Sequence, residues 1–195
     1  MKSLVLLSGG IDSTVALAQT GASLALSVNY GQTYRRELAA AAAVARHYDI
    51  EHHELDIAAA LDIPSALTGH GVIPECHAQA PDATFVPGRN LMLIALATAW
   101  ANAWGYSAVV IGANADDNAG YPDCRPQFIQ QVSEATRTGY RVAIWSPLVR
   151  MTKRQVVERG RELGVPFDLT WSCYRSGVDP CGRCGACESR DEAMA

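Results

Sequence analysis

Hydrophobic and polar positions follow two periods along this chain, and the two periods alternate from the first residues onward. Short runs bounded by turn residues predict strands at residues 4–7, 23–30, 51–56, 107–112 and 142–145. Positions with helical spacing predict helices from residue 15 and over residues 35–48, 89–104, 128–137 and 152–163. Strands that alternate with helices are typical of an α/β protein with a parallel sheet and right-handed crossovers.

Local residue types mark the ends of several of these elements. Asp12 and Ser13 are predicted to cap the first helix, and Thr152 to cap the last. Residues 58–83 contain several prolines and glycines and predict a long loop with one short helix. A connection of that length in a compact domain is often a lid or a substrate loop.

The first predicted strand runs into Ser8-Gly9-Gly10, directly before the first predicted helix. Glycines let the backbone approach a ligand closely, and free N–H groups at a helix N-terminus attract anions. The loop therefore predicts a phosphate site, for which pyrophosphate is a natural ligand. A Gly-Gly pair alone is equally common in plain turns, and the loop lacks the Walker and dinucleotide motifs.

Composition and charge narrow the class of protein. The chain has 195 residues, of which 49% are hydrophobic and 18% charged, so we expect a globular protein. We expect an α/β domain over residues 1–165 and a small segment over residues 166–195. A net charge of −4 argues against a large nucleic-acid or anionic-membrane footprint. The apolar stretch at residues 91–104 is too short for a membrane span, and without a signal peptide the expected location is the cytoplasm.

Four of the six cysteines crowd near the carboxyl terminus with the spacing Cys-x₇-Cys-x₂-Cys-x₂-Cys. They are Cys173, Cys181, Cys184 and Cys187. Four thiolates with no open position predict a structural Zn²⁺ site, although an iron–sulfur cluster uses the same ligands. Disulfides would require a secreted protein. A zinc-ribbon that binds nucleic acid is the non-enzymatic alternative, but few arginines stand nearby.

The complete string Ser8-Gly9-Gly10-Ile11-Asp12-Ser13 after an amino-terminal strand resembles the PP-loop of the N-type ATP pyrophosphatases. Members of that superfamily break ATP between the α and β phosphates and transfer AMP to an oxygen of the substrate. The resemblance implies that Asp12 helps to position Mg²⁺. It also implies that the pyrophosphate end of ATP is held by Ser8, Gly9, Gly10, Ile11, Asp12, Ser13 and Thr14.

Further motifs extend the resemblance over nearly the whole chain. They are Tyr30-Gly31-Gln32, Pro87-Gly88-Arg89-Asn90, Ile111-Gly112-Ala113-Asn114 with Asp117, Gly120-Tyr121-Pro122-Asp123-Cys124-Arg125, Pro147-Leu148 with Lys153, Thr170-Trp171-Ser172-Cys173-Tyr174, and the cysteine cluster. The combination resembles the QueC family, the 7-cyano-7-deazaguanine synthases of queuosine biosynthesis. The resemblance implies a Rossmann-like parallel sheet with helices on both faces, a Cys₄ zinc site and usually a homodimer. It also implies conversion of 7-carboxy-7-deazaguanine, ammonia and ATP into the nitrile.

The resemblance gives roles to individual residues. Tyr30, Gly31 and Gln32 join the ATP site, and the catalytic residues are Asp12, Ser13, Arg89 and Lys153. The substrate is contacted by Arg89, Asn90, Asn114, Asp117, Tyr121, Asp123, Arg125 and Phe128. Some of these residues have simpler alternatives from the sequence alone: Arg89 and Asn90 could cap or salt-bridge the start of a helix, and Asp116 and Asp117 could lie in a solvated turn. Cys124 suggests a nucleophile, but a small buried thiol is the commoner case.

The chemistry of the implied reaction suits these residue types. A carboxylate is a poor electrophile, so attachment of AMP creates a leaving group, and the phosphate charge requires cations such as Arg89, Lys153 or Arg125. Ammonia would give an amide, and dehydration of the amide to the nitrile would consume a second ATP. The alternative is a paralogue that joins the same carboxylate to a larger amine, because Thr33-Tyr34 and the short tail after Cys187 depart from the family pattern.

Overall fold

The computed structural model describes residues 2–33, 35–60, 63–75, 81–175 and 177–195. Tyr34, and residues 61–62 and 76–80 of the predicted loop, lie outside the described residues. The strands are β1 (Ser3–Leu6), β2 (Leu24–Asn29), β3 (Glu51–Asp56), β4 (Ala108–Val110) and β5 (Ala143–Trp145). The α-helices are α1 (Ile11–Thr20), α2 (Arg36–His47), α3 (Arg89–Ala103), α4 (Pro126–Tyr140), α5 (Lys153–Glu162) and α6 (Gly185–Met194).

The described strands form one parallel sheet in the order β3-β2-β1-β4-β5. Leu4 in β1 pairs with Leu24 on one side and with Val109 on the other. The chain therefore passes first to one side of β1 and then to the other. Such a switch point leaves a crevice at the carboxyl ends of the central strands, where open α/β sheets bind ligands.

Successive residues of the central strands point to opposite faces of the sheet, and both faces are covered. Val5 and Ala25 pack in a cluster with residues of α1, α2 and α5. Leu4 and Leu24 pack in a second cluster with residues of α3 and α4. Strands buried on both faces have nearly continuous apolar runs, and in β1 and β2 every residue except Ser3, Ser27 and Asn29 is apolar. The predicted α/β class with helices on both faces is confirmed.

The ends of two helices test the predicted caps. Thr152 caps α5 as predicted, because its Oγ1 accepts the N–H of Gln155 at 3.3 Å while Gln155 Oε1 accepts the N–H of Thr152 at 2.9 Å. The predicted caps of α1 are wrong. That helix begins at Ile11 with Gly10 as N-cap, and among the described side chains none caps it.

Helix α6 was not indicated by the sequence pattern. It follows Cys184, and its Ala193 is buried against the cluster that contains α1 and α5. Arg190 of α6 donates hydrogen bonds to Thr170 Oγ1 and to the Phe167 carbonyl, both at 2.8 Å. The helix therefore ties the end of the chain to the segment that precedes the first cysteine of the cluster. None of the helices in the described ranges combines the length and apolar character of a membrane span.

Candidate active site

A cavity of about 710 Å³ opens at the carboxyl ends of β1, β2 and β4. Its floor includes Leu7, Val28 and Ile111, which follow or end those strands. Its walls come from the loop before α1 and from the first turns of α2, α3, α5 and α6. The cavity therefore lies at the switch point of the sheet.

Most residues predicted for the site meet in this cavity. The predicted residues that line it are Ser8, Gly10, Ile11, Asp12, Ser13, Tyr30, Gln32, Arg89, Asn90, Asp117, Tyr121 and Lys153. The others lie behind or beside the lining: Gly9, Thr14, Gly31, Asn114, Asp123, Arg125 and Phe128.

Some of these outer residues hold lining residues in place. The Asn114 side-chain oxygen accepts the N–H groups of Asp116 and Asp117 at 2.9 and 3.2 Å, and Asp123 Oδ2 accepts the N–H of Asn90 at 3.3 Å. Arg125 and Phe128 lie further away. Arg125 is exposed and donates to the Asn118 carbonyl at 3.1 Å, while Phe128 packs against the cluster between the sheet, α3 and α4.

The loop from Ser8 to Gly10 has the geometry of an anion site. Ser13 Oγ accepts the N–H of Ser8 at 3.2 Å and lies 3.0 Å from Ser8 Oγ, so both hydroxyls stand at the start of α1. Because no described side chain caps α1, its first N–H groups and its dipole face the cavity. The side chains predicted as caps are used elsewhere, which leaves the helix N-terminus open for phosphate.

Two glycines allow the backbone to pack closely around this loop. Gly9 has φ +80°, and a Cβ there would lie 2.2 Å from the Glu37 carbonyl oxygen. A Cβ on Gly112, after β4, would lie 2.6 Å from the Ser13 nitrogen. The loop is thus held between the start of α2 and the end of β4, and neither contact has room for a side chain.

Gly112→Ala is therefore expected to damage the site and the fold together. The added methyl group overlaps backbone atoms, and overpacking of this kind lowers the free energy of unfolding by about 1–3 kcal/mol. The matched control is Gly139→Ala in α4, where a Cβ meets nothing within 4 Å and helix propensity favours alanine by about 1 kcal/mol. Chemical denaturation of both variants checks the opposite signs; an unchanged stability of Gly112→Ala would contradict the close packing.

Asp12 and Lys153 form an ion pair across the cavity, between α1 and α5. Asp12 Oδ2 accepts from Lys153 Nζ, whereas Asp12 Oδ1 is buried without a hydrogen-bond partner in the described part of the chain. Asp117 is close by: its own burial and the charge of Asp12 raise the pKa of Asp117 to about 6. Two neighbouring carboxylates with a free oxygen are suited to a hard divalent cation such as Mg²⁺.

Arg89, at the start of α3, is a cation without a carboxylate partner. Its side chain is only partly exposed, and no ion pair to it exists within the described ranges. Its Nε donates to Asn90 Oδ1 at 3.4 Å, and its guanidinium lies 5.8 Å from the centre of the buried Tyr30 ring. Because a partly buried charge is unfavourable without a partner, the position favours binding of an anionic ligand.

The cysteine cluster has the geometry of a metal site. The sulfur atoms of Cys173, Cys181, Cys184 and Cys187 all lie within 4.8 Å of one another. Tetrahedral Zn–S bonds of about 2.3 Å would place the sulfurs about 3.8 Å apart, close to the 3.9 Å between Cys181 and Cys187. Cys173 Sγ also accepts the N–H groups of Arg175 and Cys181 at 3.3 and 3.4 Å, as a thiolate ligand does. The four residues fit a closed metal site.

The segment before the cluster reaches the anion site. The Trp171 N–H donates to the Gly9 carbonyl, and its indole Nε1 donates to the Cys173 carbonyl, both at 2.9 Å. Trp171 lines the cavity, and the Arg36 guanidinium lies 4.8 Å from the centre of its ring. The metal cluster and the phosphate loop are therefore linked through one tryptophan.

Trp171 and Glu37 line the cavity, although the sequence pattern predicted no role for either of them. Trp171 belongs to the motif Thr170-Trp171-Ser172-Cys173-Tyr174, and its signal was an aromatic residue two positions before the first cysteine of the cluster. Glu37 is the acidic residue of the first turn of α2, five positions after Gln32. Cys124 also lines the cavity; burial, with added repulsion from Asp117 and Asp123, raises the pKa of its thiol to about 12, so it stays protonated.

Comparison with known proteins gives the family. The sequence model described as "Queuosine biosynthesis protein QueC" matches residues 2–195. The chain belongs to the QueC family. It is 41% identical to the 7-cyano-7-deazaguanine synthase of Synechococcus sp. strain CC9902, over 98% of this chain and 91% of that protein. It is 43% identical to the 7-cyano-7-deazaguanine synthase of Parasynechococcus marenigrum strain WH8102, over 98% of this chain and 92% of that protein.

Solved structures place this QueC family member among related folds. The U34-tRNA thiolase NcsA of Methanococcus maripaludis aligns with TM-score 0.59 and 18% identity, over 99% of this chain and 64% of that chain. The NMN synthetase of Francisella tularensis aligns with TM-score 0.53 and 21% identity, over 86% of this chain and 63% of that chain. The QueC chain thus spans less than two thirds of either protein, and the likeness concerns the fold alone.

The family model and the curated relatives confirm the predicted family, and with it an enzyme that acts on a small molecule.

Proposed function

We propose that this protein is an ATP-dependent 7-cyano-7-deazaguanine synthase. It converts 7-carboxy-7-deazaguanine and ammonia into the nitrile through an adenylated carboxylate and an amide. The observation that carries the proposal is that one cavity contains both an open helix N-terminus suited to phosphate and an arginine with no carboxylate partner. Family membership over nearly the whole chain supports the same reaction.

The phosphates of ATP bind at the start of α1 in this proposal. The N–H groups of α1 and the hydroxyls of Ser8 and Ser13 hold the pyrophosphate, while Lys153 places a positive charge beside it. A Mg²⁺ ion would be held by Asp12 and Asp117 and would neutralise charge on the departing pyrophosphate. Lys153 orients Asp12 through their ion pair.

The deazapurine carboxylate is held by Arg89. A guanidinium presents paired N–H donors that match the two oxygens of a carboxylate. Asn90 and Tyr121 line the same wall, and Tyr121 is fixed by a 2.8 Å hydrogen bond between its hydroxyl and Thr84 Oγ1. Trp171 offers an aromatic face for the ring system. Arg89 thereby orients the carboxylate toward the phosphate end of the cavity.

We propose Zn²⁺ as the metal of the cysteine cluster, with a structural role. The ligand set is complete without a solvent position, so the ion supplies folding energy and no reaction step. Residues 166–195 then form a zinc-binding segment attached to the α/β domain of residues 1–165, with Trp171 as the contact to the phosphate loop.

We further propose a cytoplasmic homodimer. The support for a dimer is an exposed aromatic surface at the ends of α3 and α4, where Trp104 and Tyr140 are 55% and 56% exposed. Asn102 joins the two helix ends by donating to the Tyr140 carbonyl at 2.9 Å. Exposed aromatic groups that are held rigidly are typical of contact surfaces between subunits.

Incubation with ATP, ammonium and 7-carboxy-7-deazaguanine tests the reaction. We expect AMP and pyrophosphate, the amide as an intermediate, and the nitrile as the final product, with two ATP consumed per nitrile. Mass spectrometry of the deazapurine and chromatography of the nucleotides measure this. Stoichiometric ADP without AMP would contradict the proposal. An acyl adenylate that yields neither amide nor nitrile with ammonium would indicate a larger amine as the acceptor.

A further inference from the structure

Glu37 is an acidic residue of the cavity wall, at the start of α2. Its Oε1 accepts a hydrogen bond from Gln32 Nε2 at 2.9 Å. Within the described ranges, no basic side chain forms an ion pair with it. Burial raises the pKa of Glu37 to about 7, although the charge of Arg89 and the Gln32 hydrogen bond act in the opposite direction. Such a carboxylate is ready to gain or lose a proton near neutral pH.

The neighbours of Glu37 set its position relative to the substrate. The charged and titratable groups that act on it are Arg89, from α3, and Tyr30, which follows β2. Gln32, which donates to Glu37, also accepts the N–H of Tyr30 at 2.8 Å, and the Tyr30 ring centre lies 5.8 Å from the Arg89 guanidinium. Arg89 is the group that we propose to hold the substrate carboxylate, so these contacts connect Glu37 to the reacting end of the substrate.

Among the other acids that line the cavity, three are engaged at the phosphate end. Asp12 pairs with Lys153, Asp116 Oδ2 accepts the N–H of Lys153 at 2.8 Å, and Asp117 Oδ2 accepts the N–H of Asn114 at 3.2 Å. These contacts fix the three carboxylates around the proposed pyrophosphate and Mg²⁺. The Glu37 carboxylate makes none of these contacts and accepts from Gln32 instead.

Amide formation needs a proton acceptor. Near neutral pH the co-substrate is almost entirely ammonium, which has no lone pair with which to attack a carbon. A carboxylate attracts ammonium by charge and accepts its proton by hydrogen-bond contact.

We propose that Glu37 binds the incoming ammonium ion and removes one proton from it, next to the acyl adenylate that Arg89 orients. The inference rests on the proposed synthase function. The nitrogen lone pair that is released forms the C–N bond, and the bond from the acyl carbon to the AMP oxygen breaks, with its electron pair leaving on AMP. The remaining excess proton on nitrogen passes to the departing AMP phosphate. Glu37 then returns its proton to solvent.

Hydroxylamine separates this role from a structural one. Protonated hydroxylamine is a far stronger acid than ammonium, so hydroxylamine is mostly neutral near pH 7. It therefore needs no base to remove a proton before it attacks. We expect Glu37→Gln to lower kcat/KM for ammonium by about 100-fold or more. The same variant is expected to keep carboxylate-dependent adenylation and to form the hydroxamate at close to the wild-type rate. Glu158→Gln, at an exposed position of α5, is the matched control and should change none of these rates.

The pH profile gives a second readout. In the wild type, protonation of Glu37 as the pH falls through about 7 should reduce the ammonium rate. In Glu37→Gln the rate should instead follow the fraction of neutral ammonia and rise about tenfold per pH unit below the pKa of ammonium. Gln32→Leu removes the hydrogen bond that favours the charged carboxylate, so the acid limb of the profile should move to higher pH.

The results for Glu37→Gln distinguish a proton acceptor from a residue with a structural role. Equal loss of adenylation, hydroxamate formation and amide formation in Glu37→Gln would show a structural role and overturn the inference. An unchanged ammonium rate would overturn it as well. Failure of the wild-type protein to form AMP from ATP and the carboxylate would instead contradict the proposed function itself.

Discussion

Arg89→Met is expected to abolish turnover without lowering the stability of the protein. The guanidinium is partly buried and forms no ion pair in the described part of the chain, so its removal is expected to cost the ligand-free protein little stability. The reaction loses the group that holds the substrate carboxylate. We expect kcat/KM for the carboxylate to fall by at least about 10²- to 10³-fold, and the free energy of unfolding to stay within about 1 kcal/mol or to rise.

Steady-state kinetics and urea unfolding of the same preparation measure the two effects. Arg89→Lys should recover part of the rate, because it restores the charge without the paired donors. The control is Arg159→Met on α5, which breaks an exposed ion pair with Glu162 at 2.8 Å and should leave activity unchanged. A large loss of stability in Arg89→Met would show that the arginine serves the fold rather than the substrate.

Cys184→Ser is expected to give the largest loss of stability. Cys184 is fully buried, and the cysteine cluster packs in one hydrophobic group with Tyr30 and Val86. Loss of one ligand from a structural zinc site should lower the free energy of unfolding by several kcal/mol. For a chain of this length that is a fall in Tm of about 10 °C or more. Activity should fall too, because Trp171 links the cluster to the phosphate loop.

Metal analysis and calorimetry of the variant test this expectation. The protein as purified should contain one Zn²⁺ per chain, and Cys184→Ser should contain less. Cys124→Ser is the matched control, because Cys124 is also a buried thiol but lies outside the cluster. The Cys124→Ser variant should contain as much metal as the wild type. Iron in place of zinc would support the iron–sulfur alternative. A metal-free protein with unchanged Tm would contradict a structural metal.

The central strands could be predicted from the sequence because both of their faces are covered. Every residue of β2 (Leu24–Asn29) is buried, and all of them except Ser27 and Asn29 are apolar. Helix α5 was predicted almost to the residue because Thr152 and Gln155, which form its capping box, are close together in the sequence. Local signals of this kind need no knowledge of the rest of the fold.

The errors arise where distant contacts decide the structure. Asp12 was expected to cap α1, but its carboxylate binds Lys153, which is 141 positions away in the sequence. Helix α6 has no clear apolar stripe, and it forms where Cys184 and the packing of Ala193 fix its two ends. Glu37 has the sequence pattern of an ordinary acidic residue at a helix start, and only the fold brings it into the cavity wall with Gln32. The spacing of residues along the sequence indicates none of these contacts.

Trp171 gives the molecule an internal optical reporter. Its indole donates a hydrogen bond to the Cys173 carbonyl, lines the cavity and lies against the guanidinium of Arg36. Indole emission responds to nearby charge and to water, so nucleotide binding and metal loss should each change the fluorescence of this one side chain. The stacked pair of Trp100 and Trp104, with ring centres 5.8 Å apart at the carboxyl end of α3, provides a separate signal through its coupled ultraviolet transitions. Occupancy of the active site and integrity of the helical layer can therefore be followed at two wavelengths in the unlabelled protein.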